Sequence, residues 1–299
     1  MRIHALIWSF VTALFCHPLL AAFEVGHRSL DKGENGAPVT IEIFAAQSTD
    51  PLPVIYFNHG FMLKNSYYSQ LLSNIASQGF IVVAPQLYKG GGLPIGKPTK
   101  VEEAARAKAV LDWISGQLET AIDQPADTDN LGLLGHSRGG TVAYILMMEN
   151  PLPKSVATID PVDGDRDGSP RIGGQDFAFK APNLIIGTGL GGISGGIFSP
   201  ACAPVADNHE MFFQYSPQPS WHMVTKDYGH MDMLNPNLNC GLVCSSCKEA
   251  SREFAKEKMI EQLSQSLGAF FQGTLNEDTT SLNRVLEGVE GVRLTTQQK

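Results

Sequence analysis

Short β-rich apolar runs alternate with longer amphipathic runs along most of this chain. Val54–Phe57 and Ile81–Ala84 end in turn residues and predict strands. Between them, residues 67–78 carry Tyr68, Leu71, Leu72 and Ile75 at helical spacing. Residues 101–120 place Ala104, Ala107, Leu111, Ile114 and Leu118 on one face, which predicts a longer helix. The apolar run Leu131–Leu134 leads through a turn into the helix-like run Thr141–Met148. Further strands are predicted at Ser155–Ile159, Asn183–Gly187 and Ser220–Thr225, with a closing amphipathic helix over 250–271. Strands alternating with helices predict an α/β architecture, a mostly parallel central sheet flanked by helices on both faces. Residues 190–220 are rich in Gly and Pro and read as the longest irregular stretch. After Gly273 the chain turns polar, so 274–299 reads as a tail or a short helix built on Leu282, Val285, Leu286 and Val289.

Composition narrows the class. A chain of 299 residues, 43% apolar and 17% charged, suits a globular protein with an ample core. A net charge of −8 argues against a nucleic-acid partner, which wants a basic face. Nothing implies a stable protein partner either. At the start, Arg2 and His4 precede the apolar run Ala5–Cys16, followed by His17, Pro18 and the small pair Ala21–Ala22. That layout predicts a signal peptide over 1–22 and a catalytic domain over 23–273, hence a periplasmic or secreted protein. Phe23 directly after Ala-Ala also matches the targeting junction of algae with complex plastids, which is the alternative. Bulky Phe15 before Cys16 rules out a lipoprotein site. The remaining cysteines, Cys202, Cys240, Cys244 and Cys247, are even in number and predict disulfides, with the pairing left open.

The chemistry centres on Gly135-His136-Ser137-Arg138-Gly139-Gly140. Strand, sharp turn and helix around G-x-S-x-G predict a nucleophile elbow with Ser137 at its tip. A serine hydroxyl needs a base to take its proton and an acid to orient that base. The order Ser…Asp…His places the acid after the next strand, at Asp160, with Asp163 as runner-up. His230, in the loop between the Ser220–Thr225 strand and the last helix, is the base; His222 and His209 are the weaker candidates. Two backbone N–H donors must face the developing oxyanion. Arg138, next after the nucleophile, supplies one, and Phe61 in Asn58-His59-Gly60-Phe61 the other. Two further patterns compete. Gly187-Thr-Gly189-Leu-Gly191-Gly192 fits a dinucleotide fingerprint in spacing, but no helix follows it. The Asp163–Asp167 loop resembles the start of a calcium site, yet Gly174 stands where a bidentate Glu is needed, so no metal is predicted.

Together these residues resemble the chlorophyllases. The resemblance runs through residues 131–140, Ile159-Asp-Pro-Val162, Gly187–Gly191, Cys202-Ala-Pro204, Asn208-His-Glu210 and Asp227–Leu234. It implies an α/β-hydrolase fold, the triad Ser137, Asp160 and His230, and cleavage of the phytyl ester of chlorophyll without a cofactor. Met62, Phe198, Met211, Phe212, Phe213 and Met231, with Phe61 and Met233, are then expected to line an apolar cleft for a lipophilic ester. The stretch between Ser137 and Asp160 is shorter than in plant members, and the cysteines at 240–247 are spaced differently. The alternatives are a general secreted carboxylesterase or polyester hydrolase, and a non-catalytic lipid or pigment binder, against which the intact Ser, Asp and His argue.

Overall fold

The computed structural model describes residues 22–92, 95–164, 168–196, 200–238, 240–241, 246–251, 255–277 and 292–297. Its strands are β1 (Val25–Leu30), β2 (Ile41–Ala46), β3 (Leu52–Asn58), β4 (Ile81–Pro85), β5 (Ala126–His136), β6 (Ser155–Ile159), β7 (Asn183–Thr188), β8 (Ser220–Thr225) and β9 (Val292–Gln297). They form one sheet in the order β1-β2-β4-β3-β5-β6-β7-β8-β9. From β4 to β8 every neighbouring pair is parallel, and the β1–β2, β2–β4 and β8–β9 pairs are antiparallel. The helices are α1 (Ser69–Ala76), α2 (Lys100–Ile122), α3 (Arg138–Glu149), α4 (His209–Tyr215) and α5 (Ala255–Leu275). This is the α/β-hydrolase arrangement.

Buried apolar side chains divide into a core on each face of the sheet. Val110, Leu111 and Ile114 of α2, Tyr144 of α3 and Phe212 of α4 pack on one face. Leu71, Leu72 and Ile75 of α1 and Met259, Leu263 and Phe270 of α5 pack on the other. The central strands are buried on both sides, which explains their continuous apolar runs. Helix α2 starts where its chemistry says it should: Thr99 accepts from the Glu102 backbone N–H while the Glu102 carboxylate accepts from the Thr99 N–H at 2.7 Å.

Four elements were not legible in the pattern. Strands β1 and β2 form an antiparallel ribbon at one edge, and β1 spends its middle on exposed His27, Arg28 and Ser29. An edge strand with one wet face gives little apolar signal. Residues 292–297, expected in a tail or short helix, add a strand to the opposite edge beside β8. The predicted helix over Leu282–Val289 and residues 1–21 of the signal peptide lie outside the described residues. Within 190–220, α4 is a seven-residue helix capped by the Asn208 side chain, too short to show a period.

Sheet order positions the site. The chain moves from β3 outward to β4 and then returns to β5 on the other side of β3. Loops leaving β3 and β5 therefore part in opposite directions and open a crevice at the carboxyl edge of the sheet. The β3 loop holds His59–Phe61; the β5 loop is the elbow. The elbow needs its glycines for close backbone approach. A Cβ on Gly135 would lie 2.3 Å from the Gly139 carbonyl oxygen and 2.7 Å from the Gly140 nitrogen. Gly135→Ala is expected to lower stability by at least about 1–3 kcal/mol, the usual cost of overpacking, measured as the urea midpoint. An unchanged midpoint would refute this close contact.

Candidate active site

Ser137 lies between β5 and α3 with φ 56° and ψ −127°, a left-handed conformation that an L-residue adopts only under constraint. Backbone hydrogen bonds supply the constraint. The Ser137 N–H donates to the Ile159 carbonyl at 3.0 Å, and its own carbonyl accepts from Gly140 and Val162 at 2.9 and 3.2 Å. The turn presents the hydroxyl to His230, whose Nε2 is 2.9 Å from Ser137 Oγ. Nδ1 of the same ring is 2.7 Å from Asp160 Oδ2.

Asp160 follows the last residue of β6, also at positive φ (43°), and is fully buried. Its Oδ1 accepts from the Thr188 N–H at 3.0 Å, and Oδ2 accepts from Thr188 Oγ1 at 2.6 Å. Burial alone would raise its pKa. The hydrogen bond and charge of His230, helped by Thr188, outweigh burial and hold the carboxyl below the ordinary aspartate range. Asp163, the runner-up acid, points elsewhere. It is ion-paired to Lys100 Nζ at 2.7 Å, with both side chains about 1% exposed, and accepts from the Ile172 and Gly173 N–H groups at 2.8 and 2.9 Å.

His230 sits on a loop braced by Asp232, whose Oδ2 accepts from the N–H groups of Gly229 (2.7 Å) and Ala250 (2.8 Å). A disulfide joins Cys202 to Cys247, tying the β7–α4 loop to the segment beyond His230. Cys240 is disulfide-bonded too, and Cys244 lies outside the described residues. The competing histidines pair with each other: His209 Nδ1 is 2.8 Å from His222 Nε2. Burial lowers both, His222 to about 4. The glycine-rich run after β7 is explained by packing. A Cβ on Gly187 would meet the His209 ring at 2.3 Å, and one on Gly191 would meet Asp160 Oδ2 at 2.4 Å. These glycines make room for the acid and its neighbours. In the loop read as a calcium pattern, Asp163 is engaged as above, and Asp165 and Asp167 lie outside the described residues.

Phe61 and Arg138, expected to carry the oxyanion donors, meet across the crevice. The Arg138 guanidinium lies 4.6 Å from the Phe61 ring centroid. The Phe61 N–H has no acceptor among the described residues, whereas the next amide, Met62 N–H, donates to Tyr88 Oη at 2.9 Å.

The expected cleft lining needs correction. Phe212 is fully buried against Tyr144 and Phe177, with ring centroids 5.0 and 5.8 Å apart, because α4 turns it into the core. Phe213 stacks on His222 at 4.8 Å. Met211 packs against Gly173 and the same core, while Met231 and Met233 belong to the core on the opposite face. Met62 is buried beside Phe61, and Phe198 lies outside the described residues. Large apolar side chains are exposed instead at Ile95, Val101, Ile193 and Val205, on the loops after β4 and β7 and the first turn of α2. Single surface residues in loops leave no periodic trace in a sequence. Thr188 and Asp232, by contrast, lie inside motifs already noted, where the sequence marks spacing and not the partner of each side chain.

Sheet order, elbow and strand-end residues define an α/β-hydrolase. A family model described as Chlorophyllase matches residues 21–298. Chlorophyllase-2 of Arabidopsis thaliana is 35% identical over 256 residues, covering 79% of this chain and 77% of the relative. Chlorophyllase-1 of the same plant is 34% identical, covering 73% and 72%. Chlorophyllase-1, chloroplastic, of Citrus unshiu is 35% identical, covering 78% and 72%. The chain belongs to the chlorophyllase family and is a carboxylic ester hydrolase.

The Cys202–Cys247 bridge closes a span of 45 residues around the base loop. Its reduction should cost about 4 kcal/mol by the loop-entropy relation, read as a lower denaturant midpoint in dithiothreitol. Equal midpoints with and without reductant would contradict a stabilising bridge.

Proposed function

We propose that the chain hydrolyses the phytyl ester of chlorophyll through an acyl-enzyme on Ser137. The observation that carries the reading is the unbroken hydrogen-bonded series from Ser137 Oγ to His230 to Asp160, at 2.9 and 2.7 Å. Ser137 Oγ attacks the ester carbonyl while its proton passes to His230 Nε2. Asp160 accepts from Nδ1–H, fixes the tautomer and stabilises the imidazolium. The tetrahedral oxyanion is held by the N–H groups of Phe61 and Arg138. On collapse, His230 gives the proton to the departing phytol oxygen. Water then attacks the acyl-enzyme, with its proton going to His230 and from there to Ser137 Oγ. The products are the free propionic acid of the pigment and phytol, and no cofactor enters.

The family supports the substrate class. Ile95, Val101, Ile193 and Val205, exposed on the loops after β4 and β7 and in the first turn of α2, are the apolar groups we assign to a lipophilic ester and that a butyryl ester does not use. The catalytic unit is proposed to span 23–273, followed by a short C-terminal segment over 274–299 that returns β9 to the same sheet. The chloroplast location in the name of the Citrus unshiu relative favours the plastid alternative over export. Among the described residues, no helix is long and apolar enough to cross a membrane.

Ser137→Ala is expected to lower turnover on chlorophyll a and on p-nitrophenyl butyrate by about 10³-fold or more, without unfolding. Asp160→Asn should cost roughly 10²–10⁴-fold in kcat on both. A serine variant with near-normal turnover would sink the covalent mechanism. Replacing Ile193 and Val205 together by Ser should raise KM for chlorophyll roughly three- to tenfold, the worth of about 1 kcal/mol of apolar contact. KM for p-nitrophenyl butyrate should stay put. Equal KM values on both substrates, in variant and parent, would remove these two residues from substrate recognition.

A further inference from the structure

The residues on either side of Ser137 both reach the loop that follows β3. His136 Nδ1 lies 2.6 Å from Tyr68 Oη, and Tyr68 Oη lies 3.1 Å from the Gly60 nitrogen. The other ring nitrogen, His136 Nε2, is 2.9 Å from the His230 carbonyl oxygen. Burial, reinforced by nearby His230, holds the His136 pKa well below the ordinary histidine range and so keeps the ring neutral. For a neutral ring one set of donors satisfies all three contacts: the Gly60 N–H donates to Tyr68 Oη, the tyrosine O–H donates to Nδ1, and Nε2–H donates to the carbonyl of His230. On the far side of the nucleophile, the Arg138 guanidinium is ion-paired to buried Glu103 at 2.6 Å, donates to the Pro98 carbonyl, and stacks on Phe61. Between them, Gly139 touches the same loop directly. A Cβ there would lie 2.4 Å from the Asn58 carbonyl oxygen and 2.6 Å from that of His59.

We propose that His136, through Tyr68, and Arg138, through its stack on Phe61, are positioning residues that register the oxyanion loop against the nucleophile. The proposal rests on the reading of Ser137 as nucleophile and of Phe61 and Arg138 as oxyanion donors. One carrier is the elbow itself and the other is a loop from a different strand. Their spacing must match a tetrahedral oxyanion closely, so the β3 loop has to be held in place against the elbow. Hydrogen bonding at Gly60 and stacking at Phe61 pin both ends of the segment that carries the donor. The charge of Arg138 is engaged by Glu103, so this guanidinium serves as a strut. His136 also holds the backbone of His230, so the same ring sets the base loop and, through Tyr68, the oxyanion loop.

The test uses two folded variants and two readouts. Tyr68→Phe deletes both hydrogen bonds of the hydroxyl while keeping the ring. The double variant Arg138→Met with Glu103→Leu removes the strut together with its counter-charge, avoiding an orphaned buried carboxylate. Each is assayed with p-nitrophenyl butyrate and with the p-nitrophenyl ester of an alkylphosphonate, which phosphonylates the nucleophile and puts an oxygen in the oxyanion site. Expected is a fall of roughly tenfold to a hundredfold in kcat, as for a misplaced donor, with KM changed by less than about twofold. The phosphonylation rate should fall in parallel while the fraction of enzyme labelled stays complete. If one variant fails to fold, the other decides. Unchanged kcat and phosphonylation rate, or a change confined to KM, would overturn the proposal. A parent enzyme that the phosphonate does not label at Ser137 would instead overturn the assignment of the nucleophile, a separate result.

Discussion

Backbone against backbone, without an intervening side chain, is the contact on which the active-site crevice depends. At the turn after β5 the chain folds back so tightly that Gly135 faces Gly139, and Gly139 in turn faces the carbonyls of Asn58 and His59. Three consequences follow from that approach. Ser137 is forced into a left-handed backbone that lifts its hydroxyl off the sheet. Helix α3 starts at once, so its first amides point at the space above the serine. The loop after β3 is brought within side-chain reach of the elbow. Strain of about 1–3 kcal/mol at each non-glycine residue of positive φ is tolerable only where neighbours over-determine it. Ser137, Asp160 and Met62 all have this conformation, and all lie at the crevice.

Buried charge does the bracing around that contact. Lys100 and Glu103, one turn apart at the start of α2, reach Asp163 in the acid loop and Arg138 in the elbow. Taking such groups from water is expensive, and a packed apolar substitute would often be no less stable. What the pairs contribute is direction. An ammonium shared between a carboxylate and the Gly164 carbonyl, and a guanidinium held by a carboxylate and an aromatic face, allow far fewer arrangements than methyl groups would. Opposite charges three residues apart, about 4.5 Å of helix rise, also discourage the wrong pairing, because Lys100 and Arg138 repel, as do Glu103 and Asp163.

Strands β3 to β8 and the long helices were legible because they are buried on one or two faces, and burial writes periodicity into sequence. Ser137, Asp160 and His230 were legible for another reason: the chain order of the three residues and their places at strand ends are dictated by topology. What escaped was of two kinds. An edge strand such as β1, with its middle residues exposed, has too little buried surface to leave a pattern. Side chains whose role comes from a long-range partner also escaped, and Tyr68 is the plainest case. Its spacing marks it correctly as the apolar face of a helix, and its ring does pack on Phe57 at 4.7 Å. Its hydroxyl, reaching a histidine 68 residues away, is invisible until the sheet is assembled. Phe212 failed in the opposite direction. A long irregular loop over the active-site face suggested substrate contact, but a seven-residue unpredicted helix carries the ring inward.

Among the described residues, four histidines besides His230 are buried: His59, His136, His209 and His222. Burial depresses each of them, His59 and His222 to about 4. They are consequently neutral at physiological pH; both ring nitrogens of His59 and His136 are engaged in hydrogen bonds, and His209 and His222 bond each other. This neutrality matters electrostatically for the proposed cycle. Charge separation during ester cleavage places a positive imidazolium on His230 beside the single carboxylate of Asp160. The ring of His136 is 4.7 Å from that of His230, so a proton there would place two cations on one carboxylate in a low-dielectric site. Polar imidazoles that stay uncharged give the crevice hydrogen-bonding rigidity without competing for Asp160. A lysine or arginine in the same positions would bond as well, yet would lower the stability of the very charge that the mechanism must create.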